Sequence, residues 1–293
     1  MHIMLNKESY SPKRPRRSTR IPIRGVEYNV SEWGRPEDPL IVYLHGFGDT
    51  GSTFQFVVDE LQQDWFVVAP DWRGFGRSEV DRRAFWFPDY LADLDQLLQQ
   101  YSPGQPVRLI GHSMGGNVAG LYAGAMPDRV EALVNLEGFG LPDSDPTDAP
   151  ARYAEWLLGS REAPSATVRD DFAVLAQAIQ RRNPNMSAQR ADFVSREWAT
   201  EMPDGRVQLR ISAAHKLPNP VLYRRAEAEA CWRAIQAAVL LVAGRLSRFA
   251  APDDLPFPQP KIAWIEQAGH MLHFEQPGQL AREIEKFLVK PVT

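Results

Sequence analysis

Six residues constrain this chain more than any others: Gly111-His112-Ser113-Met114-Gly115-Gly116, directly after the apolar run Val107-Arg108-Leu109-Ile110. A serine between glycines, at the point where a strand gives way to a helix, describes a turn too tight for bulky neighbours. Such a turn projects the serine hydroxyl above a sheet edge, the placement of a nucleophile. Serine is a poor nucleophile by itself, so the rest of the chain must supply a base, an acid to orient it and donors for an oxyanion.

The chain around this feature has the composition of a globular protein. Its 293 residues, 44% hydrophobic and 24% charged, suit one large domain with an insertion or two small domains. The formal charge of −4 is unevenly placed: Lys7, Lys13, Arg14, Arg16, Arg17, Arg20 and Arg24 against Glu8 make +6, leaving −10 elsewhere. This basic head, SPKRPRRSTR at its centre, lacks the apolar run of a signal peptide. Nowhere do 18 apolar residues follow one another, so no transmembrane segment is expected. Residues 1–19 read as a basic, flexible, solvated tail, with docking of Lys13–Arg20 to an anionic surface as the alternative; no nucleic-acid partner is expected. Cys231 is the only cysteine, which excludes an intrachain disulfide and fits a reducing cytoplasm. The sequence does not specify an oligomeric state.

Short apolar runs at Leu40–Leu44, Trp65–Ala69, Val107–Ile110, Ala132–Leu136, Ala238–Ala243 and Ile262–Ile265 show little alternation, as strands buried on both faces should. Helical stretches at Tyr90–Tyr101, Met114–Ala125 and Leu280–Val289 lie between and after them. Strands alternating with helices predict a layered α/β fold with a mostly parallel sheet. Residues 20–34 read as an antiparallel lead-in hairpin. The rhythm breaks over 141–236, which predicts a helical cap inserted between core segments 20–140 and 237–293. Within it Val168, Phe172, Leu175 and Ile179 have helical spacing, and Asn219-Pro220 fits an N-cap and first helical residue.

The candidate base is His270, just past the last strand and therefore at the sheet edge that carries Ser113. His273, three residues on, is the rival and reads as packing or pocket lining. The loop His45-Gly46-Phe47-Gly48-Asp49 follows the first parallel strand. The backbone N–H groups of Phe47 and Met114 are expected to form the oxyanion hole, with His45 bracing the loop.

His45-Gly46, the segment Asp71-Trp72-Arg73-Gly74-Phe75-Gly76-Arg77-Ser78, the Gly111–Gly116 turn and Gly269-His270 with Glu275-Gln276-Pro277 together resemble the α/β-hydrolase superfamily. The resemblance spans nearly the whole chain outside the cap and the first twenty residues. It implies an α/β-hydrolase fold: a mostly parallel, eight-stranded sheet flanked by helices. It also implies that Asp71–Ser78 shapes the site entrance without catalysing.

One departure stands out. Many relatives carry the triad acid shortly after the strand that is Ala238–Ala243 here, but this chain reads Gly244-Arg245-Leu246-Ser247-Arg248. Serine cannot stabilise an imidazolium as a carboxylate does. Glu137, at the carboxyl end of the preceding strand, is the substitute, an arrangement similar to haloalkane dehalogenases with a Glu after the sixth strand. Asp253 or Asp254 is the alternative acid. Dehalogenase and epoxide-hydrolase chemistry needs an aspartate nucleophile, whereas position 113 is Ser and position 114 is Met.

The resulting expectation is a serine hydrolase that cleaves an ester with an acyl-enzyme intermediate, Ser113, His270 and Glu137 forming the triad and no cofactor taking part. No metal-ligand spacing occurs among the six histidines and one cysteine. Trp156, Leu157, Leu158, Phe172, Phe193 and Trp198 in the cap suggest a small-molecule substrate with an apolar group, or core packing between cap and sheet. The same triad also serves carbon–carbon bond hydrolases, lactonases and amidases, and a non-catalytic receptor can be built on this fold.

Overall fold

The computed structural model describes residues 9–79, 85–161, 164–249 and 255–289. The hairpin is β1 (Arg17–Ile23) and β2 (Val26–Trp33). The apolar runs become β3 (Leu40–Leu44), β4 (Phe66–Pro70), β5 (Val107–His112), β6 (Val130–Leu136), β7 (Ala238–Gly244) and β8 (Lys261–Ile265). Together they form one eight-stranded sheet in the order β1-β2-β4-β3-β5-β6-β7-β8. The β1–β2 and β2–β4 pairs are antiparallel and the remainder parallel.

The lack of alternation in these strands has the physical cause expected of it. On β3, Val42 and Leu44 enter the core on one face of the sheet while Ile41 and Tyr43 enter the core on the other. β7 divides likewise, Val239, Leu241 and Ala243 against Leu240 and Val242. A strand covered on both sides gains from an apolar residue at every position. The first face is covered by α1 (Phe87–Tyr101) and α2 (Met114–Ala125), through Leu94, Leu97, Val118 and Tyr122.

Between β6 and β7 lie α3 (Ala149–Gly159), α4 (Phe172–Arg182), α5 (Ala188–Trp198) and α6 (Arg225–Arg233). The chain then closes with α7 (Pro277–Leu288), which covers the other face of the sheet with Leu280, Ala281 and Ile284. Asp171 caps α4 by accepting from Val174 N–H at 2.7 Å, and Ser187 caps α5 by accepting from Arg190 N–H at 3.3 Å.

The insertion differs from the helical cap expected in three ways. It contains a small antiparallel sheet, Val168–Arg169, Val207–Leu209 and Ala199–Glu201, so Val168 is in a strand and not on the α4 stripe. Asn219 does not cap a helix: its Oδ1 accepts from Val221 N–H at 3.0 Å in a side-chain turn, and α6 starts at Arg225. Finally, α6 belongs to the layer under the sheet, where Ala228 and Trp232 join the main core. Gly124 of α2 allows this approach, since a Cβ there would sit 1.9 Å from Cys231 O.

Residues 9–19 are likewise not the free tail their charge suggested. Lys13 pairs with Glu60 at 2.7 Å, Arg14 N–H donates to Asp59 at 2.8 Å, and Arg16 pairs with Glu197 of α5 at 2.9 Å. The Tyr10 ring packs edge-on against Phe56 and Phe193, and its hydroxyl bonds Asp59. The chain's own carboxylates neutralise much of this basic patch. Among the described residues no helix is long and apolar enough to cross a membrane.

Candidate active site

Ser113 stands between β5 and α2 with φ 51° and ψ −114°, a left-handed conformation that only surrounding structure can hold. The neighbouring glycines explain how. A Cβ on Gly111 would lie 2.5 Å from Gly115 O, and one on Gly115 would lie 2.1 Å from Leu44 O. The turn is pinned by Ser113 N–H donating to Leu136 O at 2.8 Å. Met114 then opens α2, so its N–H has no acceptor within the helix.

The loop after β3 presses onto this turn. A Cβ on Gly46 would meet His112 Nδ1 at 2.7 Å and Ser113 Cβ at 3.2 Å, so the loop that carries Phe47 lies against the Ser113 turn. His45 braces the loop as expected: its Nδ1–H donates to Gly46 O at 2.7 Å, and its Nε2 accepts from Trp72 N–H at 2.9 Å. Those bonds define one neutral tautomer, and burial pushes the His45 pKa down. Asp71 ties three segments together, its carboxylate accepting from Gly51 N–H, Asn29 Nδ2 and Arg77 N–H at 2.8, 2.9 and 2.8 Å. The Asp71–Ser78 segment is thus built into the scaffold around the site.

Glu137 follows β6 with φ 56° and is buried, at 4% exposure. Asn135 folds the chain there, accepting from Gly138 N–H at 2.7 Å and donating to Gly138 O at 2.9 Å. The Glu137 carboxylate reaches the end of β7, where Oε1 accepts from Gly244 N–H at 2.8 Å. Its Oε2 accepts from His270 Nδ1 at 2.6 Å and from the Ser247 hydroxyl at 2.6 Å. Because a carboxylate can only accept, Nδ1 of neutral His270 carries the proton and Nε2 carries the lone pair. The structure therefore joins Glu137 to His270. Asp253 and Asp254 lie outside the described residues.

Three polar residues that the sequence reading did not link form the floor beneath. Asp49, His112 and His273 are buried, with one ligand atom from each within 4.8 Å of the others. Asp49 Oδ2 accepts from His273 Nε2 at 3.0 Å, and Oδ1 accepts from Trp198 Nε1 and Thr53 Oγ1, both at 2.8 Å. Burial disfavours charge on Asp49, but the His273 and Trp198 bonds hold its pKa below the ordinary value. His112, driven well below its ordinary pKa by burial beside His273 and His270, stays neutral and donates Nε2–H to His270 O at 2.9 Å. The group could offer ligands to a metal, yet its bonds describe a brace. His273 is packing here, not pocket lining.

A cavity of about 170 Å³ opens beside the two oxyanion candidates and is lined by Phe47, Met114, Phe85, Trp156, His215 and Leu217 among others. His215 is stacked against Phe85 and Phe75, and burial lowers its pKa to about 3, so it is neutral. Of the six apolar cap residues singled out in the sequence, only Trp156 lines this cavity. Phe172, Phe193 and Trp198 pack around Phe56 and Phe274, while Leu157 and Leu158 are exposed.

Comparison with known proteins supports the fold. Residues 39–277 match the family described as alpha/beta hydrolase fold. A serine hydrolase-like protein of Danio rerio is 27% identical over 286 residues, spanning 92% of this chain and 87% of that protein. The 2-(acetamidomethylene)succinate hydrolase of Mesorhizobium japonicum is 23% identical over 276 residues, spanning 92% of this chain and 95% of that protein. The thioesterase domain from the curacin biosynthetic pathway superposes with a TM-score of 0.81 at 24% identity, covering 92% of this chain and 99% of that one, a likeness of fold. With a family match over most of its length, the chain belongs to the α/β-hydrolase family.

Proposed function

We propose that this chain is a serine hydrolase that cleaves a carboxylic ester through an acyl-enzyme. The reading rests on one observation above all: His270 Nδ1 is bonded to the buried Glu137 carboxylate at 2.6 Å, on the sheet edge where Ser113 is held in its left-handed turn. His270 Nε2 takes the Ser113 proton as Oγ attacks the ester carbonyl. The N–H groups of Phe47 and Met114 hold the oxyanion. The imidazolium, stabilised by Glu137, returns the proton to the departing alcohol, and water then opens the acyl-enzyme with His270 as base. No step calls for a cofactor.

The cavity supports an uncharged, apolar acyl or alcohol group. Its described lining includes no lysine, arginine, aspartate or glutamate, and its histidine is neutral. The Mesorhizobium relative is named for a succinate, a dicarboxylate for which the described lining residues offer no counter-charge. Hydrolysis of p-nitrophenyl esters of graded acyl length by wild type and Ser113→Ala tests the proposal. Activity confined to the wild type supports it; equal activity in the variant overturns it.

A further inference from the structure

The loop after β7 folds back over the acid–base pair. Ser247 N–H donates to Gly244 O at 3.1 Å, closing a turn, and the Ser247 hydroxyl oxygen accepts from Phe249 N–H at 3.0 Å. With that lone pair engaged, the hydroxyl proton is directed at Glu137 Oε2, 2.6 Å away. The same Oε2 receives His270 Nδ1, while Oε1 receives Gly244 N–H. Rotation about the last bond of a glutamate side chain is soft, so a carboxylate plane is fixed only by what it bonds. Among the described residues three donors on two oxygens fix it, and Ser247 supplies the one side-chain donor other than the base.

Building on the triad reading above, we propose that Ser247 is a positioning residue for the reaction. It sets the plane of the Glu137 carboxylate so that Oε2 meets His270 Nδ1 along the bond, and it influences catalysis only through that carboxylate. The position where many relatives carry the acid itself thus serves an acid displaced to the neighbouring strand.

A double-mutant cycle separates this role from simple support of the loop. The variants are Ser247→Ala, Ser247→Thr, Glu137→Gln and Ser247→Ala with Glu137→Gln, assayed on a fluorogenic ester. Rates are expressed per site titrated with a fluorophosphonate, so unfolded protein does not count. Ser247→Ala is expected to lower kcat about tenfold with KM within about twofold, the scale of a hydrogen bond to a charged group partly transmitted to the barrier. Ser247→Thr, which keeps the hydroxyl, should restore most of kcat. In the Glu137→Gln background Ser247→Ala should cost nothing further. An equal fold-loss in both backgrounds, or a Ser247→Ala enzyme with wild-type kcat, overturns the proposal. Full activity in Glu137→Gln alone overturns the triad reading instead, so the two failures are distinguishable.

Discussion

Glu137 Oε2 and His270 Nδ1 lie 2.6 Å apart although their loops follow β6 and β8, with the end of β7 between them. Glutamate reaches across because its backbone is held at φ 56° and Gly244 N–H steers Oε1 as it passes. Glu137→Gln, which keeps shape but not charge, should lower kcat by about three to four orders of magnitude. Glu137→Asp shortens the side chain by about 1.5 Å and should lose most of the same activity. Steady-state kinetics on the preferred ester checks both.

Trp156 is the cap side chain whose removal should change specificity most simply. It walls a cavity of about 170 Å³, so Trp156→Ala should move the optimum in the p-nitrophenyl ester series to longer acyl chains. An unchanged optimum with lower activity at every length would place the apolar group elsewhere.

Arg73 and Asp93 form a buried pair at 2.5 and 2.6 Å, with the Tyr28 hydroxyl on the same carboxylate. Asp93→Ala leaves the guanidinium without its main partner and should cost about 3–5 kcal/mol in denaturant unfolding. Because this pair supports the Asp71–Ser78 segment and touches no reacting atom, kcat per titrated site should change little.

Glu197 on α5 is clasped by Arg16 at 2.9 Å and Arg77 at 2.6 Å. Burial opposes its charge, but the two guanidinium groups outweigh burial and bring its pKa from 4.5 to about 2. A carboxyl with a lowered native pKa binds its proton more readily in the unfolded chain. Its stabilisation, on the order of 3 kcal/mol, is therefore complete above pH about 4.5 and lost as the pH falls towards about 2. Glu197→Gln should flatten the fall of Tm across that window, measured by calorimetry.

Legibility in the sequence followed the range of the interactions. The parallel strands and α2 were readable because double-sided burial and the glycine turn leave local marks at Val107–Gly116. Glu137 stands out locally as a carboxylate among apolar and glycine neighbours. The Ser247 contact was not, because a serine in a polar loop carries no local sign of a partner 110 positions away. The Asp49–His273 bond, between residues 224 apart, was hidden for the same reason. In the cap, Asn219-Pro220 misled because an Asn side-chain turn and a helix cap share the same chemistry. The basic head misled because charge reveals nothing of the carboxylates at Asp59, Glu60 and Glu197 that meet it.

A covalent acyl–Ser113 intermediate is detected by the mass of protein quenched in acid during turnover of a p-nitrophenyl ester. The expected result is a mass increase equal to the acyl group, mapped by peptide analysis to the segment holding Ser113 and absent in Ser113→Ala. Turnover with Ser113 unmodified, at a rate the Ser113→Ala variant matches, would contradict it.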